Sequence, residues 1–181
     1  YWLGGNNGGN FLYVEVQSRL PEYTVDGATV DTSKFSADGK LIADDTLSGF
    51  FNVYKNGDKT LLASHSVSYG KETLTTALRL NGSPVFTDGK ERAVITFTAK
   101  QDFRLTLVAA AKGDSVPELK YVKDGGAEVT LDAVFEKNNA ARYSVELPAG
   151  TYKLGSKNGL DIFDMSVKYI EKYEMNANDF D

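Results

Sequence analysis

Leu147-Pro148-Ala149-Gly150-Thr151-Tyr152-Lys153-Leu154-Gly155 leads, through Ser156-Lys157-Asn158, into Gly159-Leu160-Asp161-Ile162-Phe163-Asp164-Met165-Ser166-Val167. Pro-Ala-Gly is a turn signal, and Thr-Tyr-Lys-Leu alternates polar with apolar at the two-residue period of a half-buried strand. Gly-Ser-Lys-Asn-Gly then turns the chain into a second alternation of the same kind. The reading is a β-hairpin that closes an all-β domain.

The same period recurs outward from this stretch. Residues 93–99 and 103–111 read as strands expected to pair across Lys100-Gln101-Asp102, and residues 119–122 and 142–147 as two more. Upstream, residues 49–54 and 60–67 flank Lys55-Asn56-Gly57-Asp58-Lys59, where Asn-Gly is a hairpin signal, and residues 73–80 follow as another strand. Residues 11–17 alternate as a first strand that Pro21 ends. Residues 128–137 fit a short helix or a strand equally, and the Asp-rich stretch 22–47 yields no strand. Short strands separated by turns define an antiparallel β-sandwich of jelly-roll type.

Length allows one such domain. Gly4-Gly5-Asn6-Asn7-Gly8-Gly9-Asn10 is too permissive for regular structure, so residues 1–10 read as a linker or entry loop, 11–170 as the sandwich and 171–181 as an acidic tail or linker. Cysteine is absent, which excludes disulfides and thiol or zinc-thiolate chemistry. No apolar run is long enough for a membrane helix. The net charge of −5 sits mostly at the two ends, and the β-rich half is near neutral. With no basic stripe carrying aromatic platforms, nucleic acid is not an expected partner.

Thr24-Val25-Asp26-Gly27, the 92–98 and 104–110 strands, Ala149-Gly150-Thr151-Tyr152 and Gly159-Leu160-Asp161-Ile162-Phe163 together resemble the non-catalytic β-sandwich modules attached to bacterial pectate lyases and pectin esterases. The resemblance is to the pectin-binding carbohydrate-binding modules, family 77 in particular, and spans residues 23–169. It implies a secreted bacterial module, a monomer, tethered to a catalytic partner and recognising plant cell-wall polysaccharide. The family's outward tyrosine beside the Tyr152 position is Lys153 here.

Such modules stack aromatic rings on sugars or pair Lys and Arg with uronate carboxylates. Trp2 is the only tryptophan, which excludes a multi-tryptophan platform. Alternation places Leu105 and Leu107 inward and Arg104 and Thr106 outward, with Lys153 opposite Tyr152 and Leu154. Arg104, Lys112, Lys120, Lys153 and Lys157 are therefore the expected carbohydrate-binding set, with pectin as the favoured ligand and neutral β-glucan or xyloglucan second.

No catalytic residue is assigned. His65, the one histidine, lies in an alternating Ser64-His65-Ser66 segment with no serine–acid partner arguable from spacing, and reads as structural or surface. The pairs Asp44/Asp45 and Asp161/Asp164 invite a two-carboxylate glycosidase reading, but adjacent strand residues point to opposite faces. No cofactor is expected. Asp26, Asp31, Asp44 and Asp45 are candidates for a structural calcium ion, whose ligands the sequence leaves unknown. A structural spacer and a small jelly-roll polysaccharide lyase remain as alternatives to binding.

Overall fold

The computed structural model describes residues 20–57, 59 and 61–171. The expected linker 1–10, the expected strand 11–17, Trp2 and the tail beyond residue 171 lie outside the described residues. Within them the chain forms β1 (Glu22–Asp26), β2 (Asp45–Thr46), β3 (Asn52–Tyr54), β4 (Leu62–Tyr69), β5 (Glu72–Leu80) and β6 (Val94–Ala99). It continues through β7 (Phe103–Ala111), β8 (Glu118–Lys123), β9 (Glu128–Thr130), β10 (Ala141–Leu147), β11 (Gly150–Lys157) and β12 (Leu160–Tyr169). The first sheet runs β10-β7-β12-β5-β4, with β1 also on β12; the second runs β2-β3-β6-β11-β8-β9. All pairings between these strands are antiparallel, so the molecule is the expected antiparallel β-sandwich of jelly-roll type.

The two-residue period builds the core. From the first sheet come Phe103, Leu105, Leu107 and Ala109 of β7 with Leu160, Ile162, Met165 and Val167 of β12. From the second come Ile95, Phe97, Leu119, Tyr152 and Leu154. Phe97 packs edge-on against Phe103 at 5.6 Å between centroids and stacks on Tyr152 at 5.5 Å. The Tyr152 hydroxyl donates to the Pro148 carbonyl at 2.7 Å, so the ring is buried without an orphaned polar atom. Burial pushes its pKa upward.

Three expected pairings are corrected. β3 and β4, flanking Asn56-Gly57, lie in different sheets, as do β6 and β7 around residues 100–102 and β11 and β12 around residues 158–159. A turn signal fixes a reversal but not the partner, and in a sandwich both inner faces offer the same apolar alternation. These turns carry the chain between layers. Pairing between consecutive strands occurs in β2–β3, β4–β5 and β8–β9. Residues 128–137 resolve as β9 and a loop.

At Ile162/Asp164 the register of β12 against β7 shifts. This bulge puts both Phe163 and Asp164 on the outer face and re-aims the edge of β12. Before the bulge β12 pairs with β5 over residues 160–162; beyond it the edge passes to β1. β5 is thereby released from the sheet, and the β4–β5 hairpin reaches across its outer surface to residues 138–140. There the Ser68 N–H donates to the Asn138 carbonyl at 3.0 Å and the Ala140 N–H donates to the Ser68 carbonyl at 2.8 Å. Beneath the hairpin Val67, Ala77, Val108, Ala110 and Phe163 form a second, smaller apolar cluster. Gly27 permits the close crossing of β1 and β5: a Cβ there would stand 2.4 Å from the Thr76 carbonyl oxygen.

A candidate binding groove on the outer face of the first sheet

The handover from β5 to β1 leaves a groove of about 470 Å³, with β1, β12, β7 and β10 as its floor and residues 69–76 of the β4–β5 hairpin as its wall. Antiparallel register lays the outer face around the groove out in rows across four strands. Ser144, Thr106, Ser166 and Thr24 form one row of hydroxyls. Arg142, Val108, Asp164 and Asp26 form the next, and Glu146, Arg104, Lys168 and Glu22 the row on the other side. Neighbouring strands lie about 4.8 Å apart, so each row spans roughly 14 Å.

Within the hydroxyl row Thr106 Oγ1 and Ser144 Oγ are 3.0 Å apart. Asp26 closes its own turn by accepting from the Ala28 N–H at 2.8 Å. Asp164 stands beside it as its cross-strand partner. Burial, with the Asp26 charge second, holds the Asp164 carboxyl above the usual carboxylate range; the Met165 N–H and Arg142 pull the other way without offsetting it. The groove therefore holds hydroxyl groups, four carboxylates (Glu22, Asp26, Glu72, Asp164), one guanidinium and the rings of Tyr69 and Phe163.

The five cations expected to bind carbohydrate are not gathered on one face. Arg104 lies on the outer face of the first sheet, paired with Glu146 at 2.7 Å. Lys112, past the end of β7, donates to Asn81 Oδ1 at 3.0 Å and lies over Gly159. Lys120, Lys153 and Lys157 do share the outer face of the second sheet, yet each meets carboxylates. Lys120 lies 2.7 Å from Glu128, and Lys157 lies 2.9 Å from Glu118.

Lys153 is only 8% exposed, beneath a strap formed by residues 81–92. Its ammonium donates to the Phe86 carbonyl at 2.8 Å, to Glu91 at 2.7 Å and to Asp88. Burial works against that charge, but the two carboxylates outweigh it and raise the pKa. Gly155 gives the strap room, since a Cβ there would lie 2.5 Å from Pro84 Cβ. Alternation placed Lys153 on the outward side of its strand; the strap that covers it comes from sequence-distant residues, which periodicity does not register.

His65 lies where β4 and β5 shift register. Its Nδ1 is 2.7 Å from Asp161, which is fully buried and takes both the Nε (2.6 Å) and an Nη (2.7 Å) of Arg79. Asp161 and Asp164 are thus separated in role: the first is enclosed in an ion network and the second opens into the groove. The acids considered for calcium each have a partner within the protein. Asp31 caps the turn at Ser33, Asp44 accepts from the Lys55 N–H, and Asp45 pairs with Lys34 at 2.9 Å. Among the described residues no three acidic or histidine groups stand together as a metal site. The groove itself went unseen in the sequence because its residues come from six strands whose register only the fold sets. The alternation of Thr106 and of Ser166 was its one local trace.

No family model matches this chain, and no curated protein does. Among solved structures, one described under an expansion in glycan recognition in the Ruminococcus flavefaciens cellulosome is 19% identical, with a TM-score of 0.48, and the match covers 86% of this chain and 100% of that one. The C-terminal CBM6 of LamC, a marine laminarinase from Zobellia galactanivorans, is 8% identical with a TM-score of 0.39, covering 82% and 99%. The CBM51-2 and INT domains of Clostridium perfringens ZmpB are 14% identical with a TM-score of 0.38, covering 61% and 26%. At TM-scores below 0.5 these likenesses decide nothing about ligand or binding face.

Proposed function

We propose that this sandwich is a non-catalytic carbohydrate-binding module that holds a glycan in the groove of the first sheet. The observation that carries the reading is the hydroxyl row Thr106, Ser166 and Thr24 with Asp164, Asp26 and Arg142 alongside. Hydroxyls and carboxylates at strand spacing offer a polyol the donors and acceptors it needs, with Tyr69 as an apolar flank. Asp161 is held between His65 and Arg79 away from the groove, where it takes no part in the proposed site. The resemblance to modules of secreted pectin-degrading enzymes supports an extracellular role in which tethering concentrates an attached enzyme on a plant cell-wall polysaccharide.

De-esterified pectin on the second sheet is the second reading, favoured by the common face of Lys120, Lys153 and Lys157. A uronate chain there has to displace Glu118, Glu128, Asp88 and Glu91, whereas in the groove it meets four carboxylates. Affinity electrophoresis on homogalacturonan, xyloglucan, β-glucan, xylan and an amino-sugar polymer, at low and high salt, separates the readings. Retardation that Thr106→Val with Ser166→Val abolishes supports the groove. Salt-sensitive retardation by homogalacturonan alone, lost on Lys120→Glu with Lys157→Glu, supports the second sheet. Release of unsaturated products supports the lyase, and no retardation on any polymer supports the spacer.

A further inference from the structure

We infer that the ligand of this groove presents a protonated amine, which makes it a glycan containing unacetylated amino sugar; the inference rests on the groove being the binding site. Glu22, Asp26, Glu72 and Asp164 line the space; Glu22 is matched by Lys168 at 3.9 Å, which leaves Asp26, Glu72 and Asp164 facing Arg142, the single cationic side chain among the lining residues. Asp26 and Asp164 face the same side as cross-strand partners on adjacent strands. Burial first, and the Asp26 charge second, hold the Asp164 carboxyl above its usual range, with Arg142 pulling the other way.

Independent of the acids, Ser166 lies in the groove floor between Thr106 and Thr24, is 9% exposed, and its hydroxyl has no hydrogen-bond partner among the described residues. It is not a sealed-off atom, since among the described residues no buried side-chain oxygen is left unsatisfied, so its free valence opens on the groove. An ammonium is compact and carries three donors and no acceptor. One such group answers both needs, donating to the carboxylates of Asp164 and Asp26 and to the Ser166 oxygen. A neutral hydroxyl would satisfy Ser166 and leave the carboxylates uncompensated, and a uronate would add a like charge.

The test is titration calorimetry of the full chain with a hexamer of β-1,4-linked glucosamine and with its N-acetylated counterpart. Mildly acidic buffer keeps the sugar amine charged. The free-amine hexamer is expected to bind at least about tenfold more tightly, a difference of about 1.4 kcal/mol. Asp164→Asn and, on the exposed hairpin, Glu72→Gln are expected to narrow that ratio. Asp114→Asn, an exposed loop acid outside the groove with the same change in net charge, should leave it intact. Equal affinity for the two hexamers overturns the amine assignment and leaves the groove standing, as does an equal loss in Asp114→Asn, which marks general attraction to an acidic chain. Failure of both hexamers and of every neutral glycan overturns the groove reading as well. Thermal unfolding of each variant confirms that it is folded.

Discussion

At the scale of the residue, Asp164 and Lys153 show the same electrostatic rules with opposite results. Asp164 binds its proton more tightly folded than unfolded, so the native state holds the extra proton. Its contribution to stability therefore declines as pH rises from near the unfolded value of 3.8 through the raised folded value. Asp164→Asn removes that burden, and its thermal midpoint at neutral pH is expected to equal or exceed the parent's while glycan affinity falls. A fall in both would mean that the carboxylate is structural. Lys153, in contrast, is committed to the fold. Lys153→Ala leaves Glu91 and Asp88 without their ammonium, and is expected to cost about 2 kcal/mol in chemical denaturation. It should also speed hydrogen exchange at Val85 and Arg92, whose backbones pair within the strap. Glu91, whose carboxyl is held below its usual range by Lys153, supplies stability above the unfolded value of 4.5 that is lost as pH falls through the lowered one. The outward direction of Lys153 was legible from the period of β11. Its burial, and the bond from His65 to Asp161, were not, because those contacts join segments far apart in sequence.

At the scale of the element, strand existence was largely readable and strand partnership was not. Residues 73–80, 103–111 and 142–147 coincide closely with β5, β7 and β10, because alternation is a property of one strand facing one core. The turns at Asn56-Gly57 and Asn158-Gly159 were read as hairpins, but they deliver the chain to the opposite sheet, a choice made by packing across the sandwich. The bulge at Phe163 is a third feature beyond local reach: Phe163 and Asp164 are read as alternating residues unless the partner strand is known. The groove depends on that bulge and on the close passage at Gly27. Gly27→Ala forces a Cβ against the Thr76 backbone, and is expected to cost about 1–3 kcal/mol. The expected signature is loss of protection at Ser68 and Ala140, where the hairpin is pinned, ahead of the core strands. Uniform loss across both sheets would show that the hairpin is not a separate unit.

At the scale of the whole molecule, the two outer faces are built for different ends. The second sheet is covered in part by the strap, and its cations are matched by acids from neighbouring loops and strands. The first sheet is open where β5 departs, and exposes ordered polar rows. Net charge and the count of lysines say nothing of this partition, which is why a cationic binding face was the natural expectation from sequence and a hydroxyl- and carboxylate-lined groove is what the fold presents. Salt separates charged from neutral ligands: a uronate on the second sheet and an ammonium in the groove both lose affinity as salt screens the attraction, whereas a neutral glycan is indifferent to salt.

Backbone amide shifts followed by NMR, as an oligosaccharide that binds is titrated into the labelled chain, test the location of the site most directly. The account predicts perturbations concentrated at Thr24, Asp26, Thr106, Arg142, Asp164 and Ser166, with the β4–β5 hairpin tip responding and Lys120, Lys153 and Lys157 unmoved. Perturbations confined to β8 and β11, with the amides of the groove unchanged at saturation, would contradict it.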